Sequence, residues 1–160
     1  MNVLLVTGSR SLALYGGSTS LACDDITWPL IQSADLVVFG DARGPDLWAE
    51  QLARVLRIPT QRWQLDGRVI ESERPHANRR WYGEEGPPVD RRRVPLFRNE
   101  MMVNNSALGV RFGEDNVLCV GFVDPASRTR GTDHTLRLAR QAGIWCARYV
   151  WQGESFEEQS

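Results

Sequence analysis

Gly40-Asp41-Ala42-Arg43-Gly44-Pro45-Asp46 is the stretch that decides how this chain folds. It follows Leu36-Val37-Val38-Phe39, an apolar run typical of a buried parallel strand. It precedes residues 47–56, which have the pattern of an amphipathic helix with an apolar face formed by Leu47, Leu52, Val55 and Leu56. A glycine-rich turn between such a strand and helix places backbone N–H groups and an arginine at the carboxyl edge of a sheet. That edge is where α/β proteins bind phosphates and nucleotides.

The rest of the chain repeats this alternation of strand and helix. The predicted strands are residues 3–6, 36–39, 60–65, 117–123 and 145–150. The predicted helices are residues 18–33, 47–56, 96–108 and 133–142, with a break expected near Pro29. The pattern predicts an α/β fold, a Rossmann-like and mostly parallel five-stranded sheet with helices on both faces. We expect the strand order 3-2-1-4-5, in which the turns after strands one and four flank a topological switch point.

The length of 160 residues predicts one domain, which we place at residues 1–151. Residues 66–95 interrupt the alternation with a long segment rich in charge, glycine and proline, and we interpret them as a loop insertion. Residues 152–160 are acidic and polar, and we expect them to form a flexible tail.

The charged residues exclude several kinds of chemistry. The formal net charge is −1, which makes nucleic acid an unlikely partner because proteins that coat nucleic acid are normally basic. All 19 basic residues are arginine. The chain therefore has no lysine to bind phosphate in the Walker manner or to form a Schiff base. Any phosphate would be bound by arginine, backbone N–H and hydroxyl groups.

The remaining composition predicts a cytoplasmic protein without a membrane anchor. No apolar run approaches the about 20 residues of a membrane helix, and no basic region precedes the first strand as in a signal peptide. The three cysteines are far apart in sequence, and we expect them to be reduced and buried. No cluster of cysteine and histidine predicts a metal site. Self-association is an open alternative, with Trp28, Trp48 and Trp151 as candidate interface residues and the buried core as their simpler location.

Two further turns resemble the 40–46 turn in their residue types. They are Thr7-Gly8-Ser9-Arg10 and Thr129-Arg130-Gly131-Thr132. Glycine lets the backbone approach a ligand, hydroxyl and N–H groups bind phosphate oxygens, and arginine adds bidentate charge. Together with the long loop and the third helix, the turns supply the candidate ligand-binding residues Gly8, Ser9, Arg10, Arg43, Gly44, Asp46, Trp81, Arg98, Asn99, Arg130, Gly131 and Thr132. For the glycines, turn geometry alone is an alternative explanation, and Asp46 and Asn99 also suit the first turn or cap of a helix.

The ordered set of motifs resembles the SLOG superfamily, in particular its YspA-like, YpsA-related branch. The motifs are Thr7-Gly8-Ser9-Arg10, Gly40-x-Ala42-Arg43-Gly44-x-Asp46, Trp81-Tyr82-Gly83, Arg98-Asn99-x-x-Met102 and Gly131-Thr132. The resemblance implies a Rossmannoid fold and a nucleotide or nucleotide-derived ligand, such as an ADP-ribose-like or NAD-like molecule, with no cofactor required. Distant relatives are the Lonely Guy phosphoribohydrolases and the DNA-processing DprA proteins.

The chain departs from the SLOG pattern at four positions. Asp41 stands where members usually have a second glycine, and Pro45 stands where they have a small residue, often alanine. Arg130 occupies a glycine position. Thr135 stands where the phosphoribohydrolases carry their catalytic glutamate. By contrast, Arg98 resembles their substrate-contacting arginine.

Three functions are compatible with these residues. The first is a sensor or sequestering module in which Arg10, Arg43 and Arg98 neutralise phosphate and Trp81 or Tyr82 stacks on a base. The second is a nucleotide N-glycosidase, for which Asp46, Glu100 and Asp133 are weak candidates for the catalytic carboxylate. The third is DprA-like binding of single-stranded DNA through the basic and aromatic residues of the long loop, which the net charge disfavours.

Overall fold

The computed structural model describes residues 1–63, 94–127 and 130–159, without the side chains of residues 94, 95 and 130. It has the predicted α/β architecture, with a six-stranded sheet in the order β3-β2-β1-β4-β5-β6. The elements are β1 Asn2–Gly8, a 3₁₀ helix Arg10–Tyr15, α1 Gly17–Gln32, β2 Leu36–Phe39, α2 Pro45–Val55, β3 Thr60–Arg62, α3 Val94–Arg111, β4 Asn116–Val123, α4 Arg130–Gln141, β5 Trp145–Trp151 and β6 Phe156–Glu158. The first five strands are parallel and β6 is antiparallel to β5. The predicted order of the first five strands is confirmed.

Both faces of the sheet are covered by helices, as predicted. Successive side chains of a strand point to opposite faces, so each central strand contributes to two cores. Leu4 and Val6 of β1 belong to the core under α1 and α2. Val3 and Leu5 belong to the core under α3 and α4. This burial on both sides explains why the central strands are nearly continuous apolar runs.

The two helices that follow the predicted turns differ from the sequence interpretation. The α1 helix continues through Pro29 without the expected break. Proline has no N–H group, so Pro29 cannot donate the helical hydrogen bond to the carbonyl oxygen of Asp25. Because Asp25 is exposed, water can donate to that carbonyl instead. In α2, Leu47 and Val55 were expected on the buried face but are 41% and 74% exposed. The buried face is formed instead by Asp46, Ala49, Glu50, Leu52 and Ala53, because small residues allow the helix to lie close to the sheet.

The segment 152–160, expected to be a flexible tail, contributes the sixth strand. Phe156 of β6 packs against Trp151 at 4.9 Å and edge-on against Phe122 at 5.1 Å, measured between ring centroids. The backbone N–H of Gln159 donates to the carbonyl of Arg148 at 2.7 Å. The prediction of a five-stranded sheet with a flexible tail is therefore wrong at this edge, because one aromatic anchor and the open edge of β5 are enough to order a short polar strand.

The three candidate interface tryptophans lie in different environments. Trp151 is buried, and Trp48 is partly buried against the core beneath α1 and α2. Trp28 is 41% exposed. Within the described ranges, no helix has both the length and the apolar character needed to cross a membrane.

Phe156→Ala is expected to lower the free energy of unfolding by about 2 kcal/mol, because it removes a half-buried ring and opens a cavity beside Trp151. Chemical denaturation measures the change. Phe112→Ala is the matched control, since Phe112 is 69% exposed and its loss is expected to cost less than about 0.5 kcal/mol. Equal effects of the two substitutions would show that β6 does not stabilise the fold.

Candidate functional site

A cavity of about 470 Å³ lies at the carboxyl ends of β1, β2 and β4. It is lined by Thr7, Gly8, Ser9, Arg10, Ser11, Ala42, Asp46, Arg98, Asn99, Ser127, Gly131 and Thr132. The lining includes most of the residues that the sequence predicted for ligand binding, drawn from all three turns and from α3. The cavity opens where β1 and β4 are neighbours, which is the topological switch point of this strand order.

Two glycines allow the turns after β1 and β2 to approach each other. Gly44 has a φ of +82°, and a Cβ atom there would lie 3.2 Å from the carbonyl oxygen of Ser9. Gly8 lies against the ring of Pro45, and a Cβ atom on Gly8 would lie 2.3 Å from Pro45 Cγ. The proline that departs from the SLOG pattern thus packs directly on the first predicted turn. It also begins α2, where a residue without an N–H group is well tolerated.

A polar network fixes the loop after β4 to the loop after β1. Ser9 Oγ accepts a hydrogen bond from the backbone N–H of Asp124 at 3.1 Å. The buried Asp124 carboxylate accepts hydrogen bonds from Ser11 Oγ at 2.6 Å and from Tyr15 OH at 3.0 Å. The bond to Asp124 raises the pKa of Tyr15. Ser127 Oγ lies 2.9 Å from Ser11 Oγ and extends the network to the cavity wall.

Sequence reasoning did not identify this network. Ser11, Asp124 and Ser127 were not among the candidate residues, although Asp124 is the first polar residue after the buried β4 strand. That position is a recognisable signal, because the carboxyl end of a central strand opens on the switch point.

The buried side chain of Arg98 on α3 reaches the turn after β2 and forms part of the cavity wall. Its Nη1 atom donates to Asp41 Oδ1 in an ion pair, and its Nε atom donates to Asn99 Oδ1 at 2.8 Å. Gly40 leaves room for this arrangement, since a Cβ atom there would lie 2.8 Å from Arg98 Cζ and 2.8 Å from Asp46 Oδ2. The side chains of Arg98, Asp41 and Asp46 therefore form one charged cluster, which we call the Arg98 cluster.

Asp46 is the most perturbed carboxylate in this cluster. It is 4% exposed, and its Oδ2 atom accepts a 3.4 Å hydrogen bond from the N–H of Ala42. Its Oδ1 atom is buried without a hydrogen-bond partner among the described residues. Burial raises the pKa of Asp46 to about 7, against the opposing effects of the Arg98 charge and the Ala42 N–H. Asp46 therefore exchanges a proton near neutral pH, the range in which general acids and bases operate.

The other two carboxylates proposed for catalysis, Glu100 and Asp133, are not part of the cavity lining. Glu100 Oε1 lies 3.6 Å from His134 Nε2. Asp133 forms a 2.9 Å ion pair with Arg148 of β5. Thr135, at the position of the phosphoribohydrolase glutamate, is buried and donates its hydroxyl to the carbonyl of Gly131 at 2.9 Å. Of the three candidates, only Asp46 is brought to the site.

The remaining candidates are only partly placed. The side chain of Arg43 is exposed, and neither Arg43 nor Gly44 is part of the cavity lining. Trp81 and its neighbour Tyr82, the loop arginines and the side chain of Arg130 lie outside the described residues. In the part of the chain that is described, no group of three or more histidine, cysteine, aspartate or glutamate residues is arranged to bind a metal ion.

Comparison of the chain with protein-family models, with curated proteins and with solved structures gave no match. The resemblance to SLOG proteins therefore depends on the ordered motifs alone.

Asp46→Asn is expected to change the pH dependence of stability. A carboxyl group with a raised pKa in the folded state stabilises the fold below its unfolded pKa near 4 and loses that contribution as the pH rises through about 7. Between pH 5 and pH 8 the wild type should lose on the order of 2 to 3 kcal/mol relative to the Asp46→Asn variant. Denaturation at both pH values measures the difference, with Asp25→Asn on α1 as the exposed control. A constant difference between wild type and Asp46→Asn would contradict the raised pKa.

Proposed function

We propose that this chain binds a nucleotide or a nucleotide-derived ligand, such as an ADP-ribose-like or NAD-like molecule, in the cavity lined by the three turns, and acts as a sensor or sequestering module. The observation that carries the proposal is the placement of Arg10, two hydroxyl-bearing loops and the start of α4 around one cavity at the switch point. Ligands of open parallel sheets bind at this location.

Arg10 and the start of α4 are the two parts of the cavity lining that best suit a phosphate group. The exposed side chain of Arg10 makes no ion pair with any described residue, and a guanidinium group can bind a phosphate through two hydrogen bonds. Gly131 and Thr132 lie in the first turn of α4, where backbone N–H groups and the helix dipole favour an anion. Apart from its chain neighbours and the backbone of α4, no described residue has an atom within 4 Å of the position that a Cβ atom of Gly131 would occupy, so the glycine leaves room for a ligand there.

The resemblance to SLOG proteins independently supports nucleotide binding in this cavity. Its motif residues Gly8, Ser9, Arg10, Asp46, Arg98, Asn99, Gly131 and Thr132 all line this one cavity. A shared function is the simplest reason for residues from four separate segments to meet there.

A second candidate function is hydrolysis of the N-glycosidic bond of a bound nucleotide, and the position of Asp46 favours it. A carboxyl group with a pKa near 7 can protonate a departing base or accept a proton from an attacking water. Of the three candidate carboxylates, Asp46 is the one in the cavity lining, while Thr135 replaces the carboxylate that the phosphoribohydrolases use. Binding without hydrolysis remains our first proposal. The loop residues predicted to bind single-stranded DNA lie outside the described residues, and the described residues add no support for that function.

Arg10→Ala is expected to weaken nucleotide binding at least tenfold, because it removes an exposed positive charge from the cavity lining. Calorimetric titration with AMP, ADP and ADP-ribose measures the affinities. Arg111→Ala removes an exposed arginine at the end of α3, and its affinities should stay within twofold of wild type. Unchanged binding after loss of Arg10 would overturn the assignment of Arg10 as a phosphate-binding residue.

Chromatography of the same mixtures separates the two candidate functions. A ligand recovered intact supports the binding module. Release of free base by the wild type, and its loss in Asp46→Asn, would establish the hydrolase.

A further inference from the structure

Two of the three cysteines stand side by side on neighbouring strands of the sheet. Cys119 of β4 is the direct partner of Cys146 of β5 in the register of these parallel strands. Cys119 belongs to the core under α3 and α4, and Cys146 packs against that core on the same face of the sheet. Adjacent strands lie about 4.8 Å apart, within the range of about 4.4 to 6.8 Å between Cα atoms that a disulfide spans. The backbone is therefore compatible with a bond between the two sulfur atoms.

The two thiols differ in their access to solvent. Cys119 is 0% exposed, whereas Cys146 is only partly buried. The expectation of three buried cysteines is thus confirmed for Cys23 and Cys119 and wrong for Cys146. One edge of β5 pairs with β4, and among the described residues its other edge pairs with β6 only at residues 149–151. A small solute can reach Cys146, while the core shields Cys119.

A hydrogen bond between the two thiols favours ionisation of Cys146. The S–H group of Cys119 donates to the sulfur of Cys146 and lowers the pKa of Cys146 against the effect of burial, and the positive charge of Arg140 also lowers it. The same hydrogen bond raises the pKa of Cys119, and burial raises it further. The neutral Cys146 thiol also lies 3.4 Å from the carbonyl oxygen of Ile144 and 3.6 Å from that of Leu136, and these weak contacts orient it before it ionises. The thiolate, which is the reactive form of cysteine, is therefore favoured at the more accessible sulfur.

We propose that Cys146 and Cys119 form a redox-active pair, in which a peroxide oxidises Cys146 and Cys119 then forms a disulfide with it. The Cys146 thiolate attacks one oxygen of hydrogen peroxide, so that an S–O bond forms, the O–O bond breaks and the released hydroxide takes up a proton to become water. Cys119 then loses its proton, its sulfur attacks the sulfenic sulfur of Cys146, and the hydroxyl group leaves as a second water. Two thiols are oxidised to one disulfide, and one peroxide is reduced to two waters.

This activity is independent of the proposed nucleotide binding, because neither cysteine is part of the cavity lining. Cys23 provides an internal comparison. It is buried in the core under α1 and α2, on the opposite face of the sheet, and burial raises its pKa well above the ordinary value. The same peroxide should therefore leave Cys23 reduced.

The test treats the reduced full chain with a small molar excess of hydrogen peroxide. The remaining thiols are then alkylated under denaturing conditions, and the disulfide is located by mass spectrometry of tryptic peptides. We expect a monomeric product that has lost two hydrogen atoms, with peptides 112–128 and 141–148 joined through Cys119 and Cys146. Cys23 should be alkylated. Treatment with dithiothreitol should separate the two peptides again.

Three variants distinguish the roles of the cysteines. Cys119→Ser keeps a donor beside Cys146 but cannot form the disulfide, so Cys146 should accumulate as a sulfenic acid that dimedone traps. Cys146→Ser should slow the loss of the Cys119 thiol at least tenfold. Cys23→Ser is the matched control and should form the disulfide at the wild-type rate. Thermal unfolding verifies that each variant is folded, and alanine replaces serine in any variant that is not.

Several outcomes would overturn the proposal. In the wild type, these are a disulfide that includes Cys23, a Cys146 thiol that stays reduced, or a Cys146 that stops at the sulfenic acid. Loss of the Cys119 thiol at the wild-type rate in Cys146→Ser would also contradict it. Because mapping of the wild-type disulfide needs no substitution, the proposal can be tested even if a variant fails to fold. Each of these results leaves the nucleotide-binding proposal unaffected.

Discussion

The burial of β1 on both faces and along both edges is the constraint on which the rest of this structure depends. All seven residues of β1 pair with β4, and four of them also pair with β2. A strand enclosed in this way can present only its end to a ligand. Because its neighbours are parallel, the three strands finish at the same edge, and the chain must leave each of them by a turn that begins or precedes a helix. The cavity, its glycines and its helix N-termini follow from that one requirement.

Close approach of the turns has an electrostatic consequence. Gly8 and Gly44 bring the first two turns into contact, and the third helix then places Arg98 over Gly40. A guanidinium group buried at that point needs carboxylate partners, because an unpaired buried charge is strongly unfavourable. Asp41 supplies the ion pair, and Asp46 adds a carboxyl group whose own burial opposes its ionisation. Of the two arginines among the described residues of the cavity lining, Arg98 is thus paired within the protein.

Most of the sheet could be predicted from sequence because buried parallel strands are short apolar runs bounded by turn residues. The run at residues 117–123 is an example, and it is the central β4. The strand β6 was missed because Phe156–Glu158 is short and polar apart from one ring, so its order depends on Trp151 and Phe122 rather than on its own pattern. The buried face of α2 was mistaken for a similar reason. The apolar pattern predicted that Leu47 and Val55 would be buried. In the structure, α2 packs closely on the sheet and buries two alanines and two acidic residues beside Leu52.

The sequence by itself determined the fold class and the turns that line the cavity, since both depend on patterns within a few neighbouring residues. The order of the first five strands followed from the arrangement that alternating parallel strands and helices usually adopt. Only the tertiary structure decided which charges meet. Arg98 and Asp41 are separated by 57 positions, and Ser11 and Asp124 by 113. The raised pKa of Asp46 likewise depends on burial and on charges from three segments. The periodicity of apolar residues predicts the type of a helix or strand and its buried face. The energy of a charged group depends instead on its neighbours in space, and these are set by long-range packing.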